Sequence, residues 1–125
     1  MVVQARRILV GFDGSDASWR ALDVAAGMIG YGSTLAVVSV VRDGNGSVHV
    51  LFEKARERLL GHQVTATYIE KVGTPAVELV AAARELGMDL VVVGRRSSGG
   101  SDEPLPGSVS ADVVRDAPCD VLVIR

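Results

Sequence analysis

Residues 6–12, RRILVGF, form an apolar run of strand length without polar alternation, the pattern of a strand covered on both faces. Residues 34–41 (TLAVVSVV), 63–69 (QVTATYI, the most alternating), 89–94 (DLVVVG) and 119–125 (CDVLVIR) read the same way. Between them the period lengthens. Leu22, Ala25, Ala26 and Ile29 fall at helical spacing, and so do Val48, Leu51, Phe52, Ala55 and Leu59, which predicts two amphipathic helices. A third opens with Thr74 as a cap and Pro75 in its first turn, turns Val77, Val80 and Ala83 inward, and stops at Gly87. A short fourth spans about 108–116 and is ended by Pro118. Strand and helix alternate throughout, so the expected fold is α/β and doubly wound, with a five-stranded parallel sheet and helices on both faces.

Composition narrows the class. With 125 residues, 48% of them hydrophobic and no break along the chain, residues 1–125 are expected to form one domain with a real core. A formal charge of −2 and no basic run disfavour nucleic acid and anionic membranes as partners. The aromatics Phe12, Trp19, Tyr31, Phe52 and Tyr68 are scattered, which is no platform for stacked bases. Cys119 is the single cysteine, no apolar run approaches the ~20 residues that cross a bilayer, and no leader pattern opens the chain. The expected location is the cytoplasm.

In such sheets ligands sit beyond the carboxyl ends of the strands. Two loops lead there. After the first strand comes GFDGSD, whose Asp13 can accept from ribose hydroxyls or act as a turn residue, with Ser15 or Asp16 capping the next helix. After the fourth strand comes GRRSSGGSDEPLPGSVS, residues 94–110, which ends at a helix start. Free N–H groups and the helix dipole favour an anion there, and Ser108 and Ser110 add donors; a glycine turn with a serine cap is the plainer reading.

Together ILVGFDGSDAS, GTPAVELVAAA, the 94–110 loop and APCDVLVIR resemble the universal stress protein family over nearly the whole chain. The most specific part is that family's nucleotide-loop spacing of glycine, two residues, glycine, nine residues, glycine and serine or threonine, which falls on Gly94, Ser97, Gly107 and Ser108. The resemblance implies strand order 3-2-1-4-5 and ATP or another adenine nucleotide between the first and fourth strands, with magnesium as an optional companion. Asp13 would then meet the ribose, Val40 would offer its backbone to the adenine edge, and Gly94, Gly107, Ser108, Val109 and Ser110 would surround ribose and phosphates, with Gly11 alongside. It also implies a two-fold homodimer through the last strand, between Val121 and Ile124, an edge that otherwise invites pairing.

Three features depart from the family pattern. Ser97 stands where nucleotide-binding members carry glycine, which disfavours close backbone approach or a positive φ. Asp102 and Glu103 offset Arg95 and Arg96, so a triphosphate is attracted less and the expectation shifts towards AMP or ADP; Pro104 and Pro106 stiffen the approach to Gly107. The connection from the second strand to the second helix is brief.

No catalytic set is assembled. There is no GxxxxGK loop or GxSxG elbow, and Lys54 and Lys71 are the only lysines, the first a solvated helix residue and the second just after the third strand. His49, His62 and Cys119 lack zinc-ligand spacing, and Cys119 reads as a small buried thiol. The expectation is a stress-response protein that binds a nucleotide and meets an unknown protein partner without turning substrate over. Its alternative is a nucleotide-free dimeric interaction module of the same fold, and a slow ATP-cleaving enzyme ranks last because no general base or metal pair is visible in the sequence.

Overall fold

A computed structural model describes residues 6–42, 48–95 and 108–125. Strand and helix alternate in it as β1 (Arg7–Gly11), α1 (Asp16–Gly27), β2 (Thr34–Val41), α2 (His49–Gly61), β3 (Thr67–Val72), α3 (Pro75–Glu85), β4 (Leu90–Gly94), α4 (Val109–Asp116) and β5 (Asp120–Ile124). The five strands form one parallel sheet in the order β3-β2-β1-β4-β5, the doubly wound α/β arrangement.

The central strands are apolar on both sides because helices cover both. On one face Ile8, Val10, Val37 and Val92 pack with Ala21, Leu22 and Ala25 of α1 and Ala55 and Leu59 of α2. On the other, Leu9, Val38, Val91 and Val93 pack with Leu79, Val80 and Ala83 of α3 and Val113 of α4. Each fully buried valine or leucine contributes about 1.5–3 kcal/mol relative to exposure, which is why the unalternating runs settle at the centre.

Two sequence expectations shift. The third strand was predicted over 63–69, whereas β3 runs Thr67–Val72 and pairs from Ala36 opposite Thr67 to Val41 opposite Val72. The preceding residues finish α2 instead. Gln63 takes a left-handed φ of 59°, and the Val64 N–H donates back to the Leu59 carbonyl at 2.9 Å. Val64 is buried against the core as the apolar partner of that helix end, which explains its strand-like appearance in sequence. Lys71 accordingly lies inside β3.

Val77, expected to point inward from α3, is 61% exposed. The inward stripe is Ala76, Leu79, Val80 and Ala83, at offsets of three, four and seven; Val77 stands about 100° around the helix from Ala76 and faces out. Thr74 does precede the helix, but its side chain makes no capping bond, and Pro75 supplies the first turn. Cys119 is half-buried just ahead of β5 rather than inside it, and burial raises its thiol pKa.

Candidate functional site

At the end of β1 the Phe12 N–H continues the ladder to the Val38 carbonyl at 2.9 Å, and then the chain turns sharply. Asp13 Oδ1 accepts from the Ser15 N–H at 2.9 Å, Gly14 takes φ +84°, and Ser15 Oγ caps α1 by accepting from the Ser18 N–H at 3.2 Å. Ser18 Oγ in turn donates to the Ser15 carbonyl at 2.9 Å. The plainer reading of GFDGSD is therefore correct as local structure. The same bonds hold the Asp13 carboxylate at the mouth of a cavity.

That cavity, about 300 Å³, opens at the carboxyl ends of β1, β2 and β4. Its walls are Gly11, Phe12, Asp13, Ser15 and Ser18 from β1 and the start of α1, and Val38, Val40 and Arg42 from β2 and its exit. Pro75 and Leu79 of α3, Val93 and Gly94 of β4, and Val109 of α4 complete the lining. Two glycines shape it for different reasons. A Cβ on Gly11 would stand 3.0 Å from Leu79 Cδ1 and 3.2 Å from Val93 Cγ1, filling the cavity floor. A Cβ on Gly94 would stand 2.6 Å from the Ala17 carbonyl carbon, so this glycine is required by the close packing of α1 on β4.

The structure brings five predicted residues together at this cavity: Gly11, Asp13, Val40, Gly94 and Val109. Ser108 and Ser110 flank Val109 without lining it. Ser108 caps α4, its Oγ accepting from the Ala111 N–H at 3.3 Å, and Ser110 is 7% exposed. Ser97 and Gly107, with Arg96, Asp102, Glu103, Pro104 and Pro106, lie outside the described residues. Beside them the Arg95 N–H bonds to the Ile124 carbonyl, tying the end of β4 to β5.

The sequence reading missed Pro75, Leu79 and Arg42. The signal existed: Leu79 follows Pro75 by four on α3, whose first turn enters over the β1 and β2 ends in this strand order, and Arg42 continues the side of β2 that carries Val38 and Val40. Trp19 was also unassigned; it packs edge-on against Phe12 with ring centroids 4.8 Å apart and lies beneath the Arg58 guanidinium at 5.4 Å. It stiffens the wall behind Phe12.

Chemically, the cavity offers apolar sides, one carboxylate, one guanidinium, serine hydroxyls and the start of α4. Among the described residues no group of three His, Cys, Asp or Glu side chains is placed to hold a metal ion. His62 pairs instead with Asp23, Nε2 to Oδ1 at 3.2 Å, and Arg58 bonds the same carboxylate through Nε and Nη2. Among the described residues, no helix is long and apolar enough to cross a membrane.

Comparison with known proteins gives one consistent answer. The sequence model of the Universal stress protein family matches residues 46–125. Universal stress protein YxiE of Bacillus subtilis (strain 168) is 32% identical over 145 residues, covering 95% of this chain and 98% of its own length. Universal stress protein Rv1636 of Mycobacterium tuberculosis (strain H37Rv) is 33% identical over 142 residues, covering 96% of each. Both alignments exceed the 125 residues of this chain, so these relatives carry segments without a counterpart here. A solved universal stress protein in complex with cAMP superposes with a TM-score of 0.82 at 26% identity, covering 96% of this chain and 97% of that one. With the strand order, the cavity and these matches in agreement, the chain belongs to the universal stress protein family.

Proposed function

We propose that this universal stress protein is a single-domain, cytoplasmic protein that binds an adenine nucleotide in the cavity at the carboxyl ends of the strands and acts through that binding, without turnover. The observation that carries the reading is the convergence of Gly11, Asp13, Val40, Gly94 and Val109, from four separate elements or their exits, around one cavity of about 300 Å³. Asp13 suits a ribose diol, which donates two hydrogen bonds to a carboxylate, and Val40 with Pro75 and Leu79 suits a flat apolar base. The phosphate side of the proposed ligand is at Gly94 and the start of α4, where Val109 lines the cavity and Ser108 and Ser110 flank it.

ATP, ADP and AMP all fit this description, with magnesium beside the polyphosphates. The near-neutral composition of the 94–110 segment supports a ligand of low charge, and the related cAMP complex shows that a protein of this shape accepts a cyclic monophosphate. The outer edge of β5, between Val121 and Ile124, which pairs with no further strand among the described residues, is the proposed two-fold contact with a second copy, leaving the nucleotide face open to another protein partner.

Titration calorimetry with cAMP, AMP, ADP and ATP tests the reading. Saturable binding is expected, weakened at least about tenfold by Asp13→Ala through loss of a charge-assisted contact. Absence of uptake at millimolar nucleotide would overturn it and leave the interaction module in its place.

A further inference from the structure

The second strand overruns the first. Their ladder ends where Gly11 faces Val38, but β2 stays paired with β3 as far as Val41 opposite Val72. The overhang forms a wall beyond β1, and alternation turns Val38, Val40 and, one residue past the strand, Arg42 towards the cavity. Arg42 is exposed at the cavity mouth, and among the described residues no hydrogen bond or ion pair engages its guanidinium. Four other arginines are committed: Arg7 and Arg20 to backbone carbonyls, Arg58 to Asp23, Arg115 to Asp116.

Position decides what Arg42 can meet. With the ribose at Asp13 and the phosphate towards α4, the base lies at the β2 end, between the apolar walls of Val40, Pro75 and Leu79. In the order β3-β2-β1-β4-β5 the overhang of β2 lies to one side of the β1 end that carries Asp13, and α4 follows β4 on the other side, so a phosphate towards α4 would lie away from Arg42. A guanidinium is planar, always charged and weakly hydrated, and it packs well over an aromatic face. A purine presents a larger π-face than a pyrimidine, so a cover of this kind discriminates by stacking area.

Resting on the nucleotide reading of the same cavity, we propose that Arg42 is its base-selecting residue, closing the open end of the base pocket with its guanidinium over the purine ring. The role is specificity, and it calls for a purine nucleotide as the ligand class. Since Arg42 stands outside the β-ladder and packs into no core cluster, its replacement leaves the fold intact.

The test is calorimetric titration of the full chain with AMP and with CMP, for the wild type, Arg42→Ala and Arg42→Gln. Arg42→Ala should weaken AMP about tenfold and CMP only about twofold, narrowing the purine preference. Arg42→Gln, planar but uncharged, should recover part of the AMP affinity. Equal losses for AMP and CMP would place the guanidinium on the phosphate and overturn the inference, as would an unchanged ratio. A wild type that takes up neither nucleotide removes the nucleotide reading and this inference together, whereas AMP binding indifferent to residue 42 removes this inference alone.

Discussion

Helix α3 has a cleft at each end, and the two differ in chemistry far more than in size. The cavity at its start measures about 300 Å³ and the cleft past its end about 260 Å³. The first is bounded by Pro75 and Leu79, by two glycines, by the Asp13 carboxylate and by Arg42. The second is bounded by Leu86 and Met88, by the opening residues of β1, β2 and β3, and by Arg7, whose guanidinium is spent on the Leu86 carbonyl through Nε at 3.2 Å and Nη2 at 2.9 Å.

The contrast follows from parallel winding. Every helix of this fold begins at the carboxyl edge of the sheet and ends at the amino edge, so unpaired N–H groups gather at one edge and unpaired carbonyls at the other. Carbonyl ends are satisfied by the chain itself, here by Arg7, while the Asp89 carboxylate accepts from the Arg7 N–H at 2.8 Å. The N–H ends face a cavity that glycines keep open. Similar volume, opposite polarity: the start of α3 opens on the edge where helix N–H groups gather, and its end on the edge of the carbonyls.

Gly94→Ala should strike the first cleft hardest. The added Cβ meets Ala17 backbone atoms at 2.6–2.8 Å, which side-chain motion cannot relieve, so α1 must shift off β4. A loss of about 2–3 kcal/mol in urea unfolding is expected, together with loss of nucleotide affinity; unchanged stability would mean that the α1–β4 contact is looser than described. Arg7→Ala probes the other end. Removing the cap on Leu86 should cost about 1 kcal/mol in the same assay and leave nucleotide affinity untouched, and a change in affinity would show that the two ends are coupled through α3.

Smallest is the effect of the Asp23 cluster, on the flank between α1 and α2 and away from both clefts. The Arg58 hydrogen bond lowers the Asp23 pKa below the usual carboxylate value, burial works against this, and His62 adds to the lowering. The folded-state pKa is depressed, so the contribution is complete above the unfolded value of about 3.9 and disappears as pH falls through the lower folded value. Both side chains are substantially exposed, 31% for Asp23 and 48% for Arg58, so screening keeps the contribution small. In thermal melts Asp23→Asn should sit about 1–2 °C below wild type at pH 7, and the gap should close as pH falls through the lowered folded-state pKa; a constant gap would assign the pair no titrating role.

Much of this was legible along the chain. The eight residues of β2 have the same bounds in sequence and in structure, because a run of strand length with one serine and no glycine or proline has no competing local solution. Asp13 and Gly94 were legible as residues at strand ends, which the topology rule carries to one edge, whereas Val40 came from the family resemblance. Val64 and Val77 were misread for a common reason. Each is apolar within an apolar pattern, and whether such a residue packs inward depends on a helix end or a helix rotation that periodicity specifies only to within a residue or two.

The order of elements, the buried identity of the central strands and the family likeness follow from the sequence alone, since repeated hydrophobic runs separated by helical periods admit essentially one layered solution. Tertiary structure decided which side chains share the cavity. Pro75 and Leu79 come from α3 and Arg42 from the exit of β2, and their meeting with Asp13 depends on how far β2 overruns β1 and on where α3 lands across the sheet. Those are matters of register and packing between segments distant in sequence, set by the fit of Leu79 and Val93 over Gly11 and of Ala17 against Gly94. No local pattern encodes a contact whose geometry exists only once both partners are in place.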